Sequence, residues 1–212
     1  MSRFLVSGAD GALGSVVTEQ LLSLGHEVEA PLYASTGSWA LEDRVAVRRG
    51  VDLTDPEATK AAVGEGPRLG GIVLLAGGYH WGPMSETTPA HLDRLWKMNV
   101  LTAYYSLQAA VDRVEAGGSV VLVTADTLFN PRANDVAYAM TKAAVAALTE
   151  GLAKEKPELF VNAVAPTILD TPVNRSAMPD ADTSRWIPLA RAAGTIAQLA
   201  TAPTRTGGII PL

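Results

Sequence analysis

The chain contains no cysteine. That excludes a disulfide framework and any thiolate metal site, and no other metal-ligand cluster is expected. Charge is also sparse: 18% of residues are charged, they are spread along the chain, and the formal net charge is -5. No basic field exists that would draw nucleic acid or an anionic membrane surface. Long apolar stretches are missing as well. Runs such as GIVLLAGG and SVVLVTAD are far shorter than the about 20 residues that a membrane-spanning helix needs, so they read as buried strands. The opening MSRFLVSGAD passes from one Arg directly into such a run, without the apolar h-region of a signal peptide, and the expected location is therefore the cytoplasm. Internal repeats, low-complexity tracts and linkers are absent too, and 212 residues fit one domain with a large core.

What the chain does contain is alternation. Runs rich in Val, Ile and Leu recur at FLVSG, HEVEAPLY, RVAVRRGVD, GIVLLAGG, SVVLVTAD, LFVNAVAP and GGIIPL. Between most of them lie segments with apolar positions three and four apart, predicting helices over 12–24, 55–63, 89–114, 136–155 and 188–201. Strands that alternate with helices imply βαβ units and a doubly wound, mainly parallel sheet of Rossmann type in an α/β fold, because parallel neighbours need crossovers and bury both faces. The stretch from Pro166 to Pro188 has no simple period, and its part from 169 to 187 is expected to be a mobile lid-like segment.

The first run leads into GADGALG, which sets Gly8, Gly11 and Gly14 at a strand-to-helix turn. Glycines there let the backbone approach a pyrophosphate, whose charge is favoured at the following helix N-terminus, although a tight structural turn would use the same residues. The second strand should end near an adenosine ribose, where an acid would hold the hydroxyls of NAD and an Arg the phosphate of NADP. Leu32 and Tyr33 do neither, and Glu29, earlier in the strand, reads as a solvated position. In VDLTD, Asp52 can meet an adenine amino group, while Thr54 or Asp55 is a normal helix N-cap. LLAGG places Ala76, Gly77 and Gly78 on the carboxyl edge of the sheet, followed by Tyr79 and Trp81, which could stack on a flat substrate or simply cover the core. Tyr138 and Lys142 are one helical turn apart, so the lysine cation could depress the phenol pKa for proton transfer. An exposed Tyr/Lys pair on a helix surface has the same spacing.

Taken together, GADGALG, VDLTD, LAGG, Asn99, YAMTK and VNAVAPTILDT follow in the order and spacing of the short-chain dehydrogenase/reductase family, and the resemblance spans essentially the whole chain. It implies that Tyr138 is the proton donor, that Lys142 orients the nicotinamide ribose and tunes the tyrosine, and that Asn99 positions a relay water. It also implies a cofactor, NADH or NADPH, held by Gly8, Gly11, Leu13, Gly14, Asp52, Leu53, Ala76, Gly77, Gly78, Lys142, Pro166, Leu169 and Thr171. The family's serine should stand thirteen residues before the tyrosine, and that position is Ala125.

GALGS, AGG followed by an aromatic, LWK, YAMTK and the segment LDTPVNRSAMPDADTSRWIPL closely resemble the dihydropteridine reductase branch of the family, which also carries alanine at that place. The resemblance implies hydride transfer to a quinonoid dihydropteridine, a conjugated ring with less need of a serine hydroxyl, and a substrate site at Tyr79, Trp81 and Ala125. Leu32 departs from the branch, where an Asp is expected, and Asn99 matches the wider family better. A reductase of another conjugated or carbonyl substrate, or a dinucleotide-binding sensor without catalysis, are the alternative readings. The implied partners are a small-molecule substrate and a second copy of the chain, as a homodimer or homotetramer formed through the long helices, with no nucleic acid or membrane.

Overall fold

In the computed structural model, which describes residues 1–212, the seven apolar runs are the seven strands of one parallel sheet. In chain order the strands are β1 (Arg3–Ser7), β2 (Glu27–Leu32), β3 (Ala46–Arg49), β4 (Leu69–Leu74), β5 (Val114–Val123) and β6 (Phe160–Ala165), then β7 (Leu169–Asp170), β8 (Ile187–Pro188) and β9 (Ile209–Pro211). The sheet order is β3-β2-β1-β4-β5-β6-β9, and β7 pairs only with β8. The helices are α1 (Ala12–Ser23), α2 (Pro56–Val63), α3 (Pro89–Trp96), α4 (Thr102–Ala110), α5 (Val136–Glu155), α6 (Pro172–Ala177) and α7 (Leu189–Thr201).

Successive strand residues point to opposite faces, so each strand feeds two cores. Leu5, Ile72, Leu122 and Val161 pack with Leu107 of α4 and with Val145 and Leu152 of α5. Phe4, Val6, Val73, Val121 and Val164 pack with Val17 and Leu21 of α1 and with Ile196 of α7 on the other face. Fully burying such a side chain is worth about 1.5–3 kcal/mol, which explains why the strands read as continuous apolar runs rather than alternating ones. Chain direction across the sheet reverses between β1 and β4, and in such sheets the crevice outside the strands' carboxyl ends at that point receives ligands. No helix is long and apolar enough to cross a membrane.

Three expectations change. The helix over 89–114 is not uniform: a π-helical turn, Lys97–Leu101, separates α3 from α4, and a 3-10 turn, Val111–Arg113, leads into β5. The wider turn carries Asn99, whose side chain is drawn across to the loop after β4. Glu29 is not solvated. It forms an ion pair with Arg113, Nη1 to Oε1 2.7 Å and Nη2 to Oε2 3.0 Å, and Arg113, itself buried, also donates to the carbonyls of Val63 and Pro67. A buried cation needs such partners, and the apolar runs around it gave no sign of them. Finally, the aperiodic stretch has structure of its own. Leu169 and Asp170 register with Ile187 and Pro188, and Trp186 and Ile187 are buried, so the excursion that includes α6 is closed at its base and Trp186 anchors it.

Candidate active site

Gly8 follows β1 with φ +66°, a left-handed backbone where an added Cβ would stand 2.8 Å from the Ala76 nitrogen. At Gly14 a Cβ would come within 1.9 Å of the Gly8 carbonyl oxygen, so the turn closes onto the helix only with glycine at both places. Gly11 caps α1 with no side-chain hydrogen bond, and the first turn holds no acid. The first N–H groups of α1 are thus available to an anion, and the helix dipole favours one there. Leu13 is half-buried against the α1 core. Opposite this turn, the loop after β4 is fixed to β1: the Ala76 N–H donates to Ser7 Oγ at 3.3 Å and the Leu75 N–H to the Ser7 carbonyl at 3.1 Å.

A cavity of roughly 650 Å³ opens between these two loops. Gly8, Asp52, Leu53, Ala76 and Gly77 line it, together with Asp10, Tyr33, Lys97 and Met98. Asp52 Oδ1 accepts from the Thr54 N–H at 2.9 Å and from Thr54 Oγ1 at 2.7 Å, while Asp55 caps α2 by accepting from Ala58 N. The two acids therefore divide the turn, Asp52 shaping the cavity wall and Asp55 starting the helix. A glycine-lined approach to free helix N–H groups, with a cavity of this size beside it, fits a dinucleotide.

Beyond Gly77, where an added Cβ would stand 3.7 Å from Lys142 Nζ, lie Lys142 and Tyr138 on α5. Lys142 is buried, and its Nζ donates to the Val123 carbonyl at 2.9 Å and lies 5.6 Å from the Tyr138 ring centroid. Burial pulls its pKa down to about 8. The tyrosine departs from expectation: its phenol is pushed well above the ordinary range, first by desolvation, then by the negative charge of Asp135 and by Tyr79. The Lys142 ammonium group donates to the Val123 carbonyl, and desolvation of the phenol outweighs any pull that the cation exerts on it.

Asn99 is buried. Its Nδ2 donates to the Gly78 carbonyl and to Thr141 Oγ1, both at 3.0 Å, and its Oδ1 accepts from Gly78 N at 2.9 Å. The side chain thus clamps the Gly77–Gly78 loop to α5, with both amide N–H groups engaged. Ala125 is buried beside the site, and the hydroxyl of neighbouring Thr124 is spent on the Lys142 carbonyl at 2.7 Å. Thr124 cannot stand in for the missing serine without giving up that bond. Asp126 Oδ1 accepts from Asn130.

Tyr79 packs edge-on against Tyr138 with centroids 4.8 Å apart, and both Tyr79 and Trp81 are exposed. Behind them lies Asp135, which sequence reasoning missed. It is buried, its Oδ1 has no hydrogen-bond partner, and Arg132 Nε reaches Oδ2 only at 3.8 Å. Desolvation raises its pKa, against the opposing effects of Arg132, Thr127 and Tyr79. An Asp in a helix start is common, so no local signal marked it. The remaining expected residues lie along the aperiodic segment. The Pro166 carbonyl accepts from Asp126 N at 2.9 Å, the Leu169 carbonyl accepts from Asn174 Nδ2 at 2.8 Å, and Thr171 caps α6 through Asn174 N at 3.1 Å. Those groups hold their own loop, which borders the site.

Comparison with known proteins agrees with this architecture. The family model described as short chain dehydrogenase matches residues 3–182. The chain belongs to the short-chain dehydrogenase/reductase family. Among its relatives, the tropinone reductase-like 3 protein of Erythroxylum coca is 39% identical over 87 residues, 41% of this chain and 34% of that protein. The dihydropteridine reductase of Dictyostelium discoideum is 32% identical over 127 residues, 58% of this chain and 55% of that protein. The chain thus spans about a third to a half of the length of these relatives. A crystal structure of a short chain dehydrogenase family protein from Francisella tularensis superposes with a TM-score of 0.88 at 22% identity, covering 100% of this chain and 97% of that one, a likeness of fold.

Proposed function

We propose that the protein is an NAD(P)H-dependent reductase whose acceptor is a conjugated ring of the quinonoid dihydropteridine type. NADH or NADPH, when bound, supplies the hydride. Gly8, Gly11 and Gly14 admit the pyrophosphate to the α1 N-terminus, Asp52 and Leu53 border the adenine, and Ala76, Gly77 and Gly78 line the path toward Lys142. Tyr138 then donates the proton, so that the ring gains a hydride and a proton in a two-electron reduction.

The observation that carries this reading is the absence of a free hydroxyl at positions 124 and 125: Ala125 has none, and that of Thr124 is donated to the Lys142 carbonyl. The Tyr138 phenol carries its proton at neutral pH and is the donor in the reductive direction, while its upward shift in the free protein opposes proton release. An isolated carbonyl gathers charge on one oxygen and gains from a second donor, whereas a quinonoid ring spreads that charge over several heteroatoms. The Dictyostelium relative is in keeping with this. The tropinone reductase-like relative favours a second reading, reduction of another conjugated or carbonyl substrate.

Consumption of NADH and NADPH with quinonoid dihydropterin generated in the cuvette, and in parallel with simple ketones, tests the proposal. Turnover with the pterin well above that with ketones is expected. Ketone turnover alone favours the second reading, and dinucleotide binding without turnover makes the protein a sensor. In the same assay Ala125→Ser should leave the pterin rate unraised; a large gain would mean that the site does need a hydroxyl.

Two accessory features belong to this reading. Residues 169–187 cover the nicotinamide end, and hydrogen exchange in the excursion between the β7–β8 ladder strands should slow on dinucleotide binding; equal protection in both states rules the cover out. Leu92, Trp96, Tyr104, Val136 and Met140, exposed on α3, α4 and α5, support association into a homodimer or homotetramer, which a mass by light scattering equal to the monomer would refute.

A further inference from the structure

The carboxyl end of β2, which faces the adenosine ribose in a doubly wound sheet, carries no charge of its own: Leu32 is buried and Tyr33 is neutral. The charged group at this edge comes from the next strand. Arg49, the last residue of β3, registers with Leu32, and its Nη1 donates to the Ala34 carbonyl at 3.3 Å, which lays the guanidinium along the loop after β2. The Glu42 hydrogen bonds, and with them the charges of Glu42 and of Asp10 in the glycine-rich turn, raise its pKa. Arg49 therefore stands at the carboxyl end of β2, on the residue that follows Tyr33 of the cavity lining.

Its fork is occupied. Nε donates to Glu42 Oε1 at 2.8 Å and Nη2 to Glu42 Oε2 at 2.7 Å, a bidentate pair. Glu42 is held in place by its own loop, which is tied to α1 twice: Trp39 Nε1 donates to Ser15 Oγ at 3.0 Å, and Arg44 Nη1 lies 2.8 Å from Glu19 Oε2. A carboxylate mounted in this way is held on the Arg49 guanidinium beside the carboxyl end of β2.

We propose that Arg49 and Glu42 together select the dinucleotide, Glu42 filling the Arg49 fork so that the 2′-hydroxyl of NADH is accepted and the 2′-phosphate of NADPH is disfavoured. The inference rests on the reading of the cavity as a dinucleotide site. A 2′-phosphate needs the same two N–H donors that Glu42 holds, and taking them would leave the carboxylates of Glu42 and Asp10 beside a dianion. A hydroxyl needs only one lone pair, and a carboxylate that accepts a bidentate Arg has others left.

The test is titration of NADH and NADPH by fluorescence against the wild-type chain, Glu42→Gln, Arg49→Gln and the double variant, with far-UV circular dichroism to confirm folding. Glu42→Ala serves if the Gln variant does not fold. The wild type should bind NADH at least about tenfold more tightly, Glu42→Gln should raise NADPH affinity by about tenfold with NADH changed less than about threefold, and adding Arg49→Gln should remove the gain. A wild type that binds NADPH as tightly or more tightly, or a Glu42→Gln variant whose NADPH to NADH ratio does not move, overturns the assignment. If both dinucleotides bind and the ratio stays fixed, this inference alone fails; if neither binds, the dinucleotide reading fails with it.

Discussion

The two halves of the site are built by different means. The half around Gly8, Gly11 and Gly14 uses backbone: a left-handed turn, two close approaches and free N–H groups at one helix end, all within seven residues. The half around Tyr138 uses side chains brought from four parts of the chain: Asn99 from the π-helical turn, Tyr79 from the loop after β4, Lys142 from α5 with Asp135 at its N-cap, and Thr124 just past β5. A backbone site is rigid and indifferent to side-chain chemistry, which suits holding a phosphate. A side-chain site can be tuned, which suits moving a proton.

That contrast can be broken cleanly. Tyr138→Phe should leave dinucleotide affinity intact and lower turnover by about 10² to 10⁴ fold, the usual worth of a positioned general acid. Unchanged turnover in steady-state assays would remove Tyr138 from the chemistry. Gly14→Ala attacks the other half: its Cβ cannot fit 1.9 Å from the Gly8 oxygen, so the turn must open. Dinucleotide affinity should fall by about tenfold or more, equivalent to about 1.4 kcal/mol, with the rate at saturation changed much less. Calorimetric titration beside kcat measurements separates the two halves.

Lys142 joins them, and its titration gives a pH signature. With a pKa near 8 in the free protein, the cation is present below pH 8 and lost above it. Affinity for the anionic cofactor, and with it kcat/KM, should therefore decline as pH rises through about 8, while Tyr138 stays protonated. The decline should vanish in Lys142→Ala, which is weak at every pH; a profile flat to pH 10 in the wild type would show that this lysine is not the group. The smallest effect is expected from Asp135→Asn. Removing a carboxylate that opposes phenolate formation should lower the Tyr138 pKa, seen as earlier appearance of tyrosinate absorbance in alkaline titration, and change turnover by only about a few fold. If the ultraviolet titration is superimposable on that of the wild type, Asp135 has no hold on the tyrosine.

Much of the fold was legible before the structure. All seven strand runs follow from apolar runs, because burial on both faces of a parallel sheet leaves no room for polar residues, and the helices expected over 12–24, 55–63, 136–155 and 188–201 are found at 12–23, 56–63, 136–155 and 189–201. A helix start at Thr54 or Asp55 was equally plain, and the structure puts the cap at Asp55 with Pro56 behind it. Part of the site was legible for the same local reason: Tyr138 and Lys142 share a face because a helix has 3.6 residues per turn. The sign of the tyrosine's shift was not. Spacing says that a lysine is near, but only the packing says that its Nζ turns to Val123 and that Asp135 lies under Tyr79.

By itself, then, the sequence determined the elements, their alternation, the glycine turn and the presence of a Tyr/Lys pair on one helix face, since these depend on backbone geometry and on neighbours within a few residues. The tertiary structure alone decided the pairing of Glu29 with Arg113 across 84 residues, the clamp of Asn99 on Gly78 across 21, the commitment of the Thr124 hydroxyl to α5, and the Glu42 carboxylate in the fork of Arg49. Each of those is a polar group choosing among several partners. Which partner lies within 3 Å is settled only when strands and helices have packed, because hydrogen bonds and ion pairs are short-ranged and the chain's order in sequence does not set its order in space.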